Sequence, residues 1–516
     1  MKRQNLAPII LLFLAPLYFF NAFAHIFPTG FAGLFSLISE ELANNSFLLP
    51  DQIPFYGPGG IPFSYPPVGF YFMGYATRYL NITSMTYLRF APAVFSFGAL
   101  ILSYYFFKNY THSRLHAITA TFLFGISPVI FYYNVRSGGV VRGLAYFFSM
   151  AFLLFLNRSL KENKRIYIFT AGISLGLTIL THLQNAVFLF ISLAVFVLVP
   201  FNKNKIKISL KILLLALSVI SPWLWITLYK HGLQVFLYAL NSHGNLSIVW
   251  RILHPLSAES YAGIFYSTFH MTPVLLLLCL LGLLFSLLKK QWDLLIWFFA
   301  VFIFMSDSTR ILIIIGSLIA GYSLFTIYEF IPKKSLFVNI CASICLFLLL
   351  IINSVSSVTT ILNYKPAISN ETIQVGQWVQ ENTPPESIFL TLAPNEETAE
   401  WFPFLTQRTP LVGHWGSEWT SHYKYQKMLG SSIFECYKSS SWLCITDLLE
   451  KENLSPGLLI LLKGEKQLTM LIDMDKDPQL INVFENQIYK VYLVRYSFST
   501  IVRGDRQHPA LQQGFQ

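Results

Sequence analysis

The sequence predicts a mostly α, polytopic membrane protein of about eleven transmembrane helices, with a long first exterior loop and a small exterior α/β domain at the C-terminus. Three observations predict it. Of the 516 residues, 54% are hydrophobic and 12% charged, against about 25% charged in a soluble domain. Such a deficit suits a hydrocarbon solvent, where each charge costs several kcal/mol. Apolar runs of near-spanning length recur along residues 1–356 and end there. The Lys and Arg residues sit in short clusters between those runs, as cytoplasmic loops require. That placement accounts for the net charge of +11 without a nucleic-acid partner.

The runs fall at 7–24, 87–107, 115–134, 140–157, 166–182, 184–201, 208–228, 262–288, 291–305, 311–330 and 336–356. Met1-Lys2-Arg3 and Ala22-Phe23-Ala24 also fit a signal peptide with a small-residue cleavage site, but the length of the run favours a first span. The basic clusters Lys2/Arg3, Lys108/Arg114, Lys161/Lys164/Arg165, Lys203/Lys205/Lys207, Lys289/Lys290 and Lys333/Lys334 all fall on one side if the spans alternate. That side is cytoplasmic. The N-terminus is then inside, and the C-terminal domain is outside the plasma membrane.

The first exterior loop, residues 25–86, is too long for a turn. Phe31, Leu34, Phe35, Ile38 and Leu42 repeat with helical spacing, which reads as an amphipathic helix at the membrane surface. A Pro/Gly loop follows from Pro50 to Pro67, then a second surface helix over Val68–Leu80. The transmembrane domain covers 1–356, the exterior domain 357–503, and 504–516 is a polar tail. In the exterior domain Val375–Glu381 reads as a helix, and Ser387–Leu392, Leu458–Leu462 and Ile488–Val494 read as strands. Cys279, Cys341 and Cys345 lie in apolar runs. Cys436 and Cys444 stand eight apart, and an oxidising compartment would leave a disulfide between them open.

The loop motifs carry a resemblance. Ser39-Glu40-Glu41, Leu49-Pro50, Ile53-Pro54-Phe55-Tyr56 and Gly59-Gly60-Ile61-Pro62-Phe63-Ser64-Tyr65-Pro66-Pro67 follow the first run. Ser137 to Gly143, Leu180-Thr181-His182, Ser308-Thr309-Arg310, Gln377 to Pro385 and Gly413 to Trp419 follow in order. Together they resemble the GT-C-fold membrane glycosyltransferases of the bacterial and archaeal mannosyltransferase and aminoarabinose-transferase type. The resemblance implies transfer of a sugar from a polyprenyl-phosphate donor to a lipid, glycan or protein acceptor at the exterior face. It also implies a divalent metal, Mg or Mn, as a possible cofactor. Such enzymes usually carry an Asp near the start of the first exterior helix, but Pro28-Thr29-Gly30-Phe31-Ala32-Gly33 has none.

The base that takes the acceptor proton then falls to Glu40, Glu41 or Asp51. Adjacent helical residues point about 100° apart, so one of Glu40 and Glu41 faces a cleft. The same acids also read as a solvated face and a turn residue. Arg136 and Arg142, in a Gly-containing exterior loop, suit the leaving phosphate, or snorkel to the interface. Arg310 matches the family's basic residue, and Asp307, three residues before it, could pair with it. Tyr65, His182, Asp307, Trp415 and Glu418 are candidate substrate-binding residues. His231, His243 and His254 lack zinc-site spacing. Two other readings stay open, a catalytically silent relative and a transporter or flippase of lipid-linked sugars.

Overall fold

A computed structural model describes residues 7–57, 59–242, 272–305, 309–330, 336–393, 396–413 and 415–495. The chain divides into two compact units. The first is Met1–Asp51 with Phe63–Ala367, and the second is Gln52–Pro62 with Ile368–Gln516.

The first unit is helical. Its elements are α1 (Ala7–Ala24), α2 (Gly33–Asn44), α3 (Val68–Tyr79), α4 (Ser84–Thr111), α5 (Arg114–Gly125) and α6 (Pro128–Ile130), which runs into a π-helical turn (Phe131–Val135). Next come α7 (Gly139–Glu162), α8 (Arg165–Ile179), α9 (Leu183–Leu198), α10 (Lys203–His231) and α11 (Gln234–Ser242). After them lie α12 (Pro273–Leu288), α13 (Trp292–Met305), α14 (Thr309–Phe330) and α15 (Leu336–Leu362).

Among the described residues, α1, α4, α7, α10 and Arg310–Phe330 of α14 are long and apolar enough to cross a membrane. A sixth candidate is α5 with Pro128–Val135, bent by 52° at the break. Pro128 cannot donate a backbone hydrogen bond, which explains a break there. Shorter apolar helices, α8, α9, α12, α13 and Ile351–Leu362, occupy other expected runs. Buried Phe, Leu and Ile side chains from α1, α4, α5, α7, α9, α13 and α14 form one continuous core that includes Trp297. The chain is an integral membrane protein.

One helix of the long segment between α1 and α4 departs from expectation. α2 does not rest on a surface by one apolar face; it buries Gly33 to Ser39, Leu42 and Ala43. α3 covers it. A Cβ on Gly74 of α3 would meet the Ser39 carbonyl at 2.8 Å, and Phe35 packs on Phe70 with ring centroids 5.4 Å apart. A helix gripped by a second helix can bury small polar residues such as Ser39, whose hydroxyl donates to the Phe35 carbonyl at 2.8 Å.

The second unit is α/β. Strands β1 (Gln52–Ile53) and β2 (Ile61–Pro62) form an antiparallel pair. A five-stranded sheet runs in the order β4 (Thr409–Pro410), β3 (Ile388–Leu392), β5 (Leu458–Leu462), β7 (Tyr489–Val494), β6 (Leu480–Glu485). β3 is parallel to β4 and β5, while β7 is antiparallel to β5 and β6. α16 (Asn370–Asn382) and α17 (Glu396–Thr406) pack Val375, Val379 and Phe402 on one face. α18 (Tyr423–Lys438), α19 (Trp442–Lys451) and α20 (Leu468–Lys476) pack Ile433, Ile445 and Met470 on the other. α16 starts earlier than expected because Ser369 and Thr372 form a capping box. Cys436 and Cys444 are disulfide-bonded, which resolves the open pairing.

Candidate functional site

The break after α5 places a group of cations. The π-helical turn carries Tyr132, Tyr133 and Asn134. α7 can start close behind it because Gly139 and Gly143 have no Cβ. One at Gly139 would lie 1.8 Å from the Asn134 carbonyl oxygen. Ser137 then fastens the turn to the entry of α2. Its amide and hydroxyl donate to the Thr29 carbonyl at 2.9 and 2.7 Å, and its hydroxyl also reaches the Phe31 carbonyl at 2.9 Å.

Three half-buried arginines gather on aromatic faces around this knot. The Arg136 guanidinium lies 5.2 Å from the Tyr132 centroid and 5.0 Å from that of Tyr364. Arg142 lies 5.0 Å from Phe31 and 5.7 Å from Tyr133. Arg310, from the first turn of α14, lies 5.4 Å from Tyr133 and donates to the Gln184 side-chain oxygen. Ring quadrupoles partly offset the cost of desolvated cations, but the charges still repel one another. Guanidinium forks match the geometry of an anion with several oxygens, such as a phosphate.

The candidate acids lie elsewhere, Glu40 and Glu41 late in α2 and Asp51 in the loop that follows it. Glu40 accepts from the Ser84 hydroxyl at 3.4 Å. Burial pushes its pKa up, against that hydrogen bond and with help from the Glu41 charge. Glu41 turns the other way. With Asn44, Asn45, Leu49, Asp51 and Lys230 it lines an open cleft of about 410 Å³, and burial raises its pKa too. Asp51 is exposed, and its carboxylate meets Lys230 Nζ at 2.6 Å. The hydrogen bond and charge of Lys230 hold it below the usual Asp range. A rise of 1.5 Å per residue puts Glu40 and Glu41 about 10–12 Å along the helix from Gly33. The arginine group is tied to the opposite, N-terminal end of α2. There the residues are Gly30, whose missing Cβ would sit 3.1 Å from Arg136 Nε, and Phe31.

The other predicted residues scatter. Tyr65 is half-buried, edge-on to Phe70 at 6.1 Å. His182 is the residue before α9, in the turn that supplies Gln184, and the Leu180 carbonyl accepts from the Val68 amide at 2.9 Å. Asp307, His243 and His254 lie outside the described residues, so the expected Asp307–Arg310 pair does too. Trp415 and Glu418 belong to the second unit. Trp415 lines a cavity there; Glu418 lies in a 3₁₀ turn, Ser417–Trp419, outside its lining. Sequence reasoning missed Tyr133, Phe31, Gln184 and Lys230. The paired tyrosines four and three residues before Arg136 were the available signal.

The side chains present do not suit a divalent metal. Among the described residues no group of three or more His, Cys, Asp or Glu could hold a metal ion. Hard cations take six or more oxygens and favour carboxylates, and Glu41 and Asp51, with Lys230 on the latter, do not form such a set.

The family described as dolichyl-phosphate-mannose-protein mannosyltransferase matches residues 64–226, a stretch that includes Tyr65, Arg136, Arg142 and His182. A search of curated protein sequences gives no match. Among solved structures, the archaeal oligosaccharyltransferase AglB from Archaeoglobus fulgidus, in complex with an inhibitory peptide and a dolichol-phosphate, is similar with a TM-score of 0.63 and 14% identity. The match covers 88% of this chain and 69% of that one. ArnT from Cupriavidus metallidurans bound to undecaprenyl phosphate gives 0.54 and 12%, over 94% of this chain and 97% of that one. The mycobacterial arabinofuranosyltransferase AftD gives 0.52 and 14%, over 96% and 40%. Taken with the family match, these likenesses show that the chain has the fold of the GT-C glycosyltransferases.

Proposed function

We propose that this protein is a membrane glycosyltransferase that takes a sugar from a polyprenyl-phosphate donor at the exterior face. The observation that supports it is the gathering of Arg136, Arg142 and Arg310 on Tyr132, Tyr133, Phe31 and Tyr364. In this reading the guanidinium groups hold the donor phosphate. As the bond from the anomeric carbon to phosphate oxygen breaks, negative charge builds on the phosphate, and fixed cations stabilise that more than the ground state. The acceptor hydroxyl attacks the anomeric carbon and gives its proton to a carboxylate.

Of the three acids Glu41 suits that proton best. It lines a polar cleft, and its raised pKa brings it nearer to working pH. Asp51, held low and paired to Lys230, is a weaker base and fixes the loop instead. The test is a transfer assay. Purified protein in lipid is mixed with radiolabelled polyprenyl-phosphate sugars and a membrane lipid extract. Transfer of label from one donor, lost in Arg142→Ala and Glu41→Gln, is expected. No transfer from any donor would sink the reading.

A second reading has its own support. The entry of α2 offers Gly30 and Phe31 to the arginines, and the acids lie about 10 Å along the helix. A silent relative that binds the lipid phosphate without transfer would look the same. It would tolerate alanine at Glu40, Glu41 and Asp51 together in a complementation assay, whereas the enzyme would not.

A further inference from the structure

The segment that leaves α15 is short and pinned at both ends. At its start, the Asn363 and Tyr364 amides donate to the Thr359 and Ile361 carbonyls at 3.1 and 3.3 Å, which closes the last turn of α15. At its end, Pro366 forms an isolated antiparallel bridge with Thr29. Proline fixes its own φ and holds the residue before it extended, so Lys365 and Pro366 have little freedom. Tyr364 lies between the two pins, half-buried and packed on the transmembrane core. Thr29 is also the residue whose carbonyl accepts from the Ser137 amide and hydroxyl. The entry of α2, the turn before α7 and the segment after α15 are therefore joined at one residue.

Arg136 stands beside this junction, and the junction shapes its surroundings. The Tyr132 and Tyr364 rings that it meets at 5.2 and 5.0 Å lie 6.3 Å from each other and are tilted by 48°. Gly30, next to Thr29, supplies a third surface. A Cβ on Gly30 would lie 3.1 Å from Arg136 Nε and 3.2 Å from both Cζ and Nη2. Near-equal distances to three coplanar atoms put Gly30 over the face of the guanidinium, not at its edge. Its φ of +88° suits glycine, which has no Cβ to strain there. Stacking takes the faces of a guanidinium, while its N–H groups point in its plane. Contacts that hold the faces therefore set the direction of the forks. Two of those contacts are local to the turn and to the entry of α2. Tyr364 is the one that arrives from the far end of the transmembrane domain.

We propose that Tyr364 is a positioning residue for the lipid-phosphate site, and that the segment from Asn363 to Pro366 is one of the walls of that site. The proposal rests on the reading of the arginine group as a lipid-phosphate site, and does not require that the protein transfer sugar. Without the Tyr364 ring, Arg136 keeps its charge but samples orientations that a phosphate cannot use, and the ordering cost falls on binding. The experiment measures binding of undecaprenyl phosphate to the full-length protein in phosphatidylcholine nanodiscs by native mass spectrometry. Tyr364→Leu should raise the Kd about three- to thirtyfold, and Tyr364→Phe, which keeps a ring, should stay within about twofold of the parent protein. In an Arg136→Ala background the effect of Tyr364→Leu should vanish, because the ring acts through that guanidinium. An unchanged Kd in Tyr364→Leu, an equal loss in both backgrounds, or a Tyr364→Phe protein as weak as Tyr364→Leu would each overturn the proposal. The underlying reading fails in a different way. If Arg136→Ala and Arg142→Ala both leave the Kd unmoved, the arginine group is not the phosphate site and this proposal falls with it. If both weaken binding and Tyr364→Leu does not, only the role of Tyr364 falls.

Discussion

Arg310 donates to the side-chain oxygen of Gln184, a bond that joins the first turn of α14 to the first turn of α9. Gln184, 126 residues before Arg310 in sequence, aims the guanidinium at Tyr133. Arg310→Lys keeps the charge but loses the planar fork and its fixed aim. A lost charge-assisted hydrogen bond is worth about 1.5–3 kcal/mol, so the Kd for polyprenyl phosphate should rise roughly ten- to hundredfold. Gln184→Leu removes the aim alone. It should raise KM for the donor more than it lowers kcat, and steady-state kinetics separate the two.

Glu41 and Asp51 share a cleft but titrate in opposite directions. A base must be deprotonated, and burial raises the Glu41 pKa. The rate should therefore fall with decreasing pH from above the ordinary carboxylate range. Glu41→Gln should remove that limb and cost about 10²–10⁴ in rate. Asp51→Asn should leave the limb in place. For stability the signs also differ. Glu41 contributes below its unfolded pKa and loses that contribution as pH rises through the folded value. Asp51, lowered by Lys230, contributes above its unfolded pKa and loses that as pH falls through the folded one.

Arg408 is a structural cation with no part in either site. It is 5% exposed. Its guanidinium donates to the backbone carbonyls of Gln380, Thr383 and Gln407, at 2.8, 2.5 and 2.8 Å. These are carbonyls at the ends of α16 and α17 that have no later amide to meet. Arg408→Ala should destabilise the second unit by at least about 2 kcal/mol. Arg408→Lys should rescue little, since one ammonium cannot reach all three. Thermal unfolding followed by tryptophan fluorescence measures it.

The Cys436–Cys444 bond joins α18 to α19 across a short loop. On the chain-entropy view its removal should cost about 2.5 kcal/mol. Thermal unfolding with and without reductant, set beside the Cys436→Ala/Cys444→Ala double variant, checks this. A shift in the double variant equal to that with reductant is the expected result.

The sequence made some of this legible because hydrocarbon imposes a strong pattern. Runs such as 87–107 and 140–157 became α4 and α7 because a long apolar stretch is enough to span, even where the first holds Arg89 and Pro92 and the second holds Arg142 near its start. Arg136, Arg142 and Arg310 were visible as cations at the edges of apolar runs. Their common ring, Tyr133, was not. Tyrosine is abundant here, with 27 in the chain, and the Tyr132-Tyr133 pair ahead of Arg136 does not say which ring carries two guanidinium groups. The Lys230–Asp51 pair was hidden by its long separation along the chain. The burial of α2 was hidden because its partner α3 looked like another surface helix. Helical periodicity reports that a face is apolar, not whether lipid or protein covers it.

The strand pair at Gln52–Pro62 belongs to the second unit, although most of that unit is encoded after residue 367. The Tyr56 hydroxyl donates to the Glu400 carbonyl at 2.8 Å, across 344 residues. At 5–20 residues per second, a ribosome needs roughly 20–70 s to make that stretch. For that time the Tyr56 segment has been translated while its partners do not yet exist. Its Pro and Gly residues, which resist strand pairing with strangers, suit a segment that must wait. Expression of residues 368–516 alone would omit this early piece, leaving Glu400 without the hydroxyl that reaches its backbone.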